Sequence, residues 1–300
     1  MRVSRREALL TAMAGSAALA AKSAVDMPTV AFGSEKISRL IVGGNPVSGN
    51  SHWSNQMSEE MIDYFTSEGV KRLLRNCDQA GVNAWQSRGD KHIIRVLHEY
   101  RQEGGKVHWI GQTASEVTDT KRNLGDMMRE KPLGIYHHGS RTDRMWDAGK
   151  IEEVREALKM VRDAGIRVGL GTHIPQVIDH AEEKGWDVDF YMACIYNLSR
   201  PRAEADRLAG GRAPEELFWD PDRVEMLKRV QKTSKQCLVF KVYGAARHCD
   251  SRQRMLDAWK LVTRYAKPND AFVVGMFPKY KEQVNENCEL MVEAMKANAA

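Results

Sequence analysis

Val168-Gly169-Leu170-Gly171 is a short apolar run, and a segment with helical periodicity, Gln176 to Lys184, separates it from the next apolar run, Phe190 to Ile195. A short apolar run between polar or glycine residues is typical of a buried strand, and apolar residues that recur at intervals of three and four are typical of a helix. The order strand, helix, strand predicts two parallel strands whose connecting helix covers the sheet.

The same unit repeats from about residue 37 to the end of the chain. The eight apolar runs are Leu40 to Gly43, Val82 to Trp85, Val107 to Gly111, Leu133 to Tyr136, Val168 to Gly171, Phe190 to Ile195, Leu238 to Val242 and Ala271 to Gly275. The helical segments are Met57 to Gln79, Lys91 to Glu103, Lys121 to Arg129, Lys150 to Ala164, Gln176 to Lys184, Asp222 to Thr233, Gln253 to Tyr265 and Lys281 to Met295. Eight units favour a closed (β/α)8 barrel, and the absence of a GxGxxG motif after an early strand disfavours a dinucleotide-binding open sheet. We predict one α/β domain, a (β/α)8 barrel, over residues 26–300.

Two long connections indicate where the barrel carries its function. They run from Asn45 to Met57 after the first strand and from Asn197 to Asp220 after the sixth. Both lie on the carboxyl side of a strand, which is the face on which such barrels build their active sites.

The start of the chain predicts export. Ser4-Arg5-Arg6 precedes a weakly apolar run, Ala8 to Ala21, which ends at Lys22. Paired arginines before such a run are typical of a twin-arginine signal, so we predict a signal over residues 1–25, the twin-arginine export machinery as a partner, and a periplasmic or extracellular location. The run is short and rich in Ala, Gly and Thr, which disfavours a permanent membrane span. An ordinary amphipathic helix is the alternative interpretation.

The composition is that of a soluble enzyme. Apolar residues make up 42% of the 300-residue chain, enough to bury a large core. The formal charge of +5 comes partly from the predicted signal, and basic and acidic residues are interspersed without a polybasic block. This pattern argues against nucleic acid as the main partner. Five cysteines without a CxxC pair indicate mostly buried thiols.

Several motifs occur in a fixed order along the chain. They are Phe32-Gly33 with Ile37-Ser38-Arg39-Leu40, Ala80-Gly81-Val82-Asn83, Ile135-Tyr136-His137-His138, Val168-Gly169-Leu170-Gly171-Thr172-His173, Asp189 to Tyr196-Asn197, Lys241-Val242-Tyr243-Gly244-Ala245-Ala246-Arg247, and Val274-Gly275-Met276 with Gln283, Glu286 and Asn287. Through these motifs nearly the whole chain after the predicted signal resembles the aldo/keto reductases. The resemblance implies a barrel enzyme that reduces a carbonyl group with NADPH.

At the positions of the family's catalytic residues, this chain departs from the family's pattern. Its members use an Asp, a Tyr, a Lys and a His, of which the tyrosine protonates the carbonyl oxygen. In this chain Gln86 occupies the aspartate position and Gln112 the lysine position, and no tyrosine occurs between Ser87 and Asp90. Only the histidine is kept, as His138 or its neighbour His137. The resemblance therefore implies no standard proton donor.

The positions that bind the nucleotide in the family keep more of the pattern. The resemblance implies adenine contacts by Gln283, Glu286 and Asn287, a place for the cofactor beside Gly275, and charge for NADP phosphates from Arg247, Lys279 and Lys281. The alternative is that Glu286 and Asn287 only cap and solvate the last helix. The family's Ser-Asn pair at the nicotinamide is replaced by Gly171-Thr172.

Polar residues follow most of the predicted strands, and their position makes them site candidates. We predict as catalytic Gln86, Arg88, Gln112, His138, His173 and Lys241; Asn45, His52, His137, Tyr196 and Asn197 lie at neighbouring strand ends. Histidines at three strand ends raise the possibility of a zinc ion, but no HxH or HExxH spacing supports it, and we assign no metal ligand. His137 and His138 are adjacent on a strand and should point to opposite faces. Lys241 has a structural alternative, an ion pair with a neighbouring carboxylate.

These observations give three hypotheses about function. The first is an exported, aldo/keto-reductase-like oxidoreductase that acts with NADP on a small carbonyl or sugar-type compound, for which Trp53, Trp85 and Trp109 offer an aromatic wall. The second is an isomerase, lyase or hydrolase without nucleotide, with His138 and His173 as acid and base. The third is a binding protein that keeps only the barrel.

Overall fold

The computed structural model describes residues 25–299, so the predicted signal, except for Val25, lies outside the described residues. Eight parallel strands close into a barrel in which each strand pairs with the next along the chain and the last pairs with the first. The barrel strands are β3 (Leu40–Gly43), β4 (Ala84–Arg88), β5 (His108–Gln112), β6 (Gly134–His137), β7 (Arg167–Thr172), β8 (Phe190–Cys194), β9 (Gln236–Phe240) and β10 (Ala271–Gly275). The predicted (β/α)8 barrel is confirmed.

Helices lie between the strands and after the last one. They are α1 (Asn55–Tyr64), α2 (Ser67–Gln79), α3 (Lys91–Gln102), α4 (Thr120–Met128), α5 (Gly139–Asp147), α6 (Glu152–Asp163), α7 (Pro175–Glu183), α8 (Arg202–Ala209), α9 (Pro221–Lys232), α10 (Arg252–Tyr265) and α11 (Val284–Ala299), with a short 3-10 helix at Pro46–Ser48. Within residues 25–299 no helix combines the length and apolar character needed to cross a membrane.

The single helix predicted from Met57 to Gln79 is instead two helices. Thr66 interrupts it, because its hydroxyl accepts a hydrogen bond from the Gly69 amide at 3.2 Å and caps the start of α2. Gly69 fits closely there, since a Cβ on it would lie 2.5 Å from the Tyr64 carbonyl oxygen. The capping side chain therefore overrides the continuous apolar periodicity.

Two helices, α5 and α8, were not predicted. The residues that α5 buries are Gly139, Thr142 and Asp143, so its inward face is polar and carries no apolar periodicity. The end of β9 also differs from the prediction, which extended the strand to Val242. Lys241 has a φ of 65°, and this left-handed conformation turns the chain out of the strand after Phe240.

An antiparallel hairpin fills one end of the barrel. Its strands are β1 (Thr29–Phe32) and β2 (Glu35–Ser38), and Phe32 and Ile37 are buried inside the barrel with the first inward residues of several strands, among them Ala84 and Phe190. The Phe32 and Phe190 rings meet edge to face at 5.0 Å between centroids. Because these partners begin their strands, the hairpin closes the amino end of the barrel and leaves the carboxyl end for a site.

Candidate functional site

A cleft of about 430 Å³ opens at the carboxyl ends of β3, β9 and β10. Its inner end lies between Gln86 and Lys241, and its outer end lies at the start of α11. Two exposed aromatic residues line it, Trp53 at 56% and Tyr280 at 68% of full exposure. Trp85 and Trp109 are fully buried, so of the three tryptophans proposed as an aromatic wall only Trp53 is accessible. The volume is in the range of small-molecule sites.

The outer end of the cleft contains four of the six predicted cofactor residues, Gly275, Gln283, Glu286 and Asn287. Asn287 accepts a hydrogen bond from the Tyr243 hydroxyl at 2.7 Å, and Gln283 accepts one from the Phe277 amide at 2.7 Å. Both amides are therefore held by the protein, and their orientation is fixed.

Glu286 is held on one side only. Its Oε1 pairs with Lys281 at 2.6 Å, whereas its Oε2 is buried and has no hydrogen-bond partner within residues 25–299. A buried acceptor without a partner costs free energy unless a ligand supplies a donor. An amino group such as the one on adenine fits this atom.

The other two predicted cofactor residues do not line the cleft. Lys279 pairs with Glu60 at 3.3 Å. Arg247 lies 3.8 Å from the centre of the Phe218 ring and donates a hydrogen bond to the His52 carbonyl at 3.1 Å. Lys281 is thus the cation that borders the outer end of the cleft.

Lys241 lies at the inner end. Among residues 25–299 its ammonium makes no ion pair or hydrogen bond, and its aromatic neighbour is Phe218, with Nζ 5.3 Å from the ring centre. Burial lowers the pKa of Lys241, and the charges of Cys194 and Glu216 oppose this shift without cancelling it. The structural alternative, an ion pair that uses up the charge, is not observed in the described part of the chain.

His52 faces the same end of the cleft from the first long connection. Its Nδ1 lies 2.8 Å from the carboxylate of Glu216, which the second long connection supplies, and its Nε2 lies 3.1 Å from Asn45 Nδ2. Because the carboxylate accepts from Nδ1 and the amide donates to Nε2, the ring is fixed as the neutral Nδ1–H tautomer. Burial lowers the pKa of His52, although the hydrogen bond to Glu216 opposes the shift.

Gln86 and Gln112 are joined below the cleft by Tyr136. Gln86 Nε2 donates to the phenol oxygen at 2.7 Å, and the phenol donates to Gln112 Oε1 at 2.6 Å. Burial raises the pKa of Tyr136, so the phenol stays protonated. The three side chains form a neutral network in place of the family's ion pair.

His138 and His173 lie at neighbouring strand ends, and their pKa values move apart. Burial, with the charge of His173, lowers the pKa of His138 to about 4, and no described residue makes a hydrogen bond to its buried Nδ1. Burial also disfavours the protonated form of His173, but Cys194 and Asp143 outweigh this and raise its pKa to about 10. His138 is thus a neutral base and His173 a protonated acid near pH 7.

The remaining candidates have structural partners. Arg88 pairs with Glu116 and lies 3.7 Å from Asp90, so its charge is balanced. His137 is buried against Thr142, with a hydrogen bond of 2.8 Å, and His138 lies one residue beyond the end of β6. Tyr196 and Asn197 bond to residues of their own connection and of α9.

Three side chains at this face were not among the predicted site residues: Asp143, Cys194 and Glu216. Cys194 ends a strand, and that position was a usable signal. Asp143 and Glu216 lie on segments without apolar periodicity. Within residues 25–299 no three His, Cys, Asp or Glu side chains converge in a way that would hold a metal ion.

Searches against models of known protein families and against curated proteins gave no match to this chain. The geometry of the barrel and its cleft therefore provides the basis for a functional proposal.

Proposed function

We propose that the protein is an aldo/keto-reductase-like oxidoreductase that binds NADP in the cleft and acts on a small carbonyl or sugar-type compound at the inner end. The observation that carries this proposal is the path of the cleft, which runs from the strand ends at Gln86 and Lys241 to Gln283, Glu286 and Asn287 on the last helix. A dinucleotide needs one continuous groove with distinct chemical and adenosine ends, and this cleft supplies both.

The residues present fit the nucleotide. Glu286 Oε2 has no hydrogen-bond partner within residues 25–299 and can accept one from the adenine amino group. Lys281 borders the same end of the cleft, and its charge suits the 2′-phosphate. Bound NADPH supplies the hydride that reduces the carbonyl carbon. At the inner end, Lys241 Nζ gives a proton to the carbonyl oxygen, because its lowered pKa makes the ammonium a stronger acid and, among residues 25–299, no carboxylate pairs with it.

Nucleotide binding should raise the melting temperature of the full chain with the logarithm of NADP concentration. The reason is that each tenfold increase in NADP above the dissociation constant adds about 1.4 kcal/mol to the free energy of unfolding. Lys281→Gln should weaken NADP about fivefold, a typical effect of one surface charge, and leave NAD unchanged. Lys279→Gln is the matched control, because Lys279 does not border the cleft. Calorimetry that shows no NADP binding at millimolar concentration would overturn the proposal.

One observation favours a second candidate, acid–base chemistry without nucleotide. His138 and His173 have pKa values of about 4 and 10, the separation expected of a base and an acid that act together. If this candidate holds, dihydroxyacetone incubated with the protein in D₂O exchanges its carbon-bound protons without NADP, and His138→Gln abolishes the exchange. Absence of exchange in the unaltered protein excludes this candidate.

Export remains part of the proposal because of Arg5-Arg6. Replacing both with Lys should retain the protein in the cytoplasm, as measured by fractionation of cells that produce the full chain. Unchanged export of the double variant would contradict a twin-arginine route.

A further inference from the structure

The backbone fixes the position from which the side chain of Lys241 enters the cleft. Lys241 directly follows β9 and lines the inner end of the cleft. Its φ of 65° lies in the left-handed region, which costs free energy for a residue other than glycine. Its carbonyl oxygen accepts a hydrogen bond from the Gly244 amide at 2.8 Å, and this turn holds the left-handed conformation in place.

The amine of Lys241 has an aromatic neighbour and no acceptor. Among residues 25–299 its Nζ makes no hydrogen bond or ion pair, and it lies 5.3 Å from the centre of the Phe218 ring. The titratable or charged groups that act on it are His52, Cys194, Glu216 and Arg247. Because burial outweighs the opposite charges and lowers the pKa of Lys241, the neutral amine is more abundant than in an ordinary lysine.

The other lysines near the cleft are different. Lys281 also lines it, but pairs with Glu286 at 2.6 Å. Lys279 pairs with Glu60 at 3.3 Å. An ammonium held by a carboxylate stays protonated, whereas a lysine in an apolar setting without such a partner is suited to act as a nucleophile.

Two amide side chains offer acceptors at the same end of the cleft. Asn45 Nδ2 donates to His52 at 3.1 Å, and Gln86 Nε2 donates to Tyr136 at 2.7 Å. Asn45 and Gln86 both line the cleft, and within residues 25–299 their side-chain oxygens accept no hydrogen bond. Hydroxyl groups of a ligand are suitable donors for these two oxygens.

We infer that Lys241 is a nucleophile that forms an imine with a small hydroxyaldehyde, whose hydroxyl groups are held by the side-chain oxygens of Asn45 and Gln86. The electron pair of neutral Nζ forms the N–C bond, and the carbonyl π pair moves to oxygen. The oxygen takes one proton from the nitrogen, which gives a carbinolamine. The nitrogen pair then forms the C=N bond, and the hydroxyl group leaves with the second nitrogen proton as water. The sequence is reversible and needs no oxidant or reductant.

This activity takes place at the inner end of the proposed cleft but does not need the nucleotide. The ammonium form of Lys241 gives a proton in the proposed reduction, and the neutral form adds to the carbonyl carbon. Because imine formation is measured without NADP, failure of NADP to bind leaves the inference intact. A Lys241 that forms no imine leaves the reductase proposal intact.

Reductive trapping tests the imine. The native full chain is incubated without NADP near pH 7 with millimolar glycolaldehyde and sodium cyanoborohydride, which reduces an imine to a stable secondary amine. Peptide mass spectrometry then follows each lysine. Lys241 should be labelled at least about tenfold faster than Lys279 and Lys281. Lys281 is the matched control because it lines the same cleft with a paired ammonium.

Labelling of Lys241 that is no faster than that of Lys281 overturns the inference. That result is expected if the ammonium stays charged and holds an anion instead. In concentrated urea the preference for Lys241 should disappear, because its surroundings exist only in the folded chain. A preference that persists in urea would assign the reactivity to the local sequence and also overturn the inference.

A pair of variants tests the same assignment on the intact protein. Lys241→Arg keeps a positive charge but forms no stable imine, so the fast phase of labelling in the intact mass should be lost. Lys279→Arg is the control and should keep the fast phase, because Lys279 does not line the cleft. If Lys241→Arg does not fold, the comparison of lysines in the unaltered protein still decides the outcome.

Acetaldehyde, which lacks the hydroxyl group, tests the ligand class. With the rate at Lys279 as the reference for each aldehyde, glycolaldehyde should label Lys241 about fivefold faster than acetaldehyde does, a typical effect of one hydrogen bond. Equal relative rates would overturn the assignment of a hydroxyaldehyde.

Discussion

At the scale of single residues, Gln86, Tyr136 and Gln112 form a neutral network where the family resemblance implies ions. Tyr136 satisfies one donor from Gln86 and one acceptor on Gln112, at 2.7 and 2.6 Å. Neither amide needs a charged partner, so the positions that hold a lysine and an aspartate in the aldo/keto reductases serve packing and orientation in this chain. The titratable side chains that line this end of the cleft are Lys241 and His52.

Tyr136→Phe should lower the free energy of unfolding by about 1–3 kcal/mol, because it leaves the buried amide of Gln86 and the half-buried amide of Gln112 each without this partner. Urea denaturation is the measurement. Tyr280→Phe, at a tyrosine with 68% exposure, is the control and should change stability by less than about 0.5 kcal/mol. Equal losses in the two variants would show that the phenol hydroxyl of Tyr136 stabilises nothing specific.

At the scale of elements, two glycines allow strands β6, β7 and β8 to pack around aromatic rings inside the barrel. A Cβ on Gly134 would lie 2.9 Å from the Phe190 ring, and one on Gly169 would lie 2.4 Å from the same ring. The small residues on β6 and β7 therefore make room for the large side chain on β8.

Gly169→Ala should destabilise the protein by about 1–3 kcal/mol, because the added methyl group overpacks the barrel interior. Gly125→Ala is the matched change in helix α4, where a Cβ meets nothing within 4 Å. It should stabilise the protein by about 0.5–1 kcal/mol through helix propensity alone. Thermal and urea unfolding measure both, and opposite signs are the expected result.

The sequence predicts elements well where burial is apolar and poorly where it is polar. All eight barrel strands are apolar runs, and each was predicted within a few residues. Helix α5 was missed because its buried face is Thr142 and Asp143 rather than a stripe of apolar residues. The His52–Glu216 pair joins positions 164 residues apart, and a contact of that kind leaves no local pattern in a sequence.

Of the six residues predicted as catalytic, two line the cleft. Gln86 and Lys241 line the cleft because strand ends of a barrel converge on one face, which is a property of the fold. Which side chains contact one another depends on rotamers and on the two long connections. The pairing of His173 with Asp143 could therefore not be read from spacing.

At the scale of the whole molecule, buried histidines set the pH at which the fold is most stable. His137 and His138 have pKa values of about 3 and 4 in the folded protein, against an ordinary value of 6.5. Below pH 6.5 the unfolded chain binds protons that these residues do not bind when folded, so stability is lost as pH falls. The pKa of His173 is about 10, so the stability it contributes is complete below pH 6.5 and is lost as pH rises toward 10.

The free energy of unfolding should therefore be greatest near pH 6.5. Each histidine should change it by up to about 1.4 kcal/mol per pH unit within its own window. His173→Gln should flatten the decline between pH 7 and 9, and His137→Gln should reduce the decline between pH 6 and 4. The lowered pKa of Lys241 makes the free energy of unfolding rise with pH in the alkaline range, opposite to the effect of His173. The difference between the unaltered protein and His173→Gln therefore gives the contribution of the histidine alone. Urea midpoints across pH 4–9 provide the measurement, and a slope unchanged in His173→Gln would contradict this origin.

The hairpin that fills the amino end of the barrel determines how the protein can be attached to a surface. Met27 leads into β1 and lies 3.1 Å from the place that a Cβ on Gly81 would take, beside the amino end of β4. A tether or fluorophore coupled near Met27 is thus held at the pole opposite the cleft. Immobilisation at that end of the barrel orients every molecule on a biosensor with its cleft facing the flowing solution.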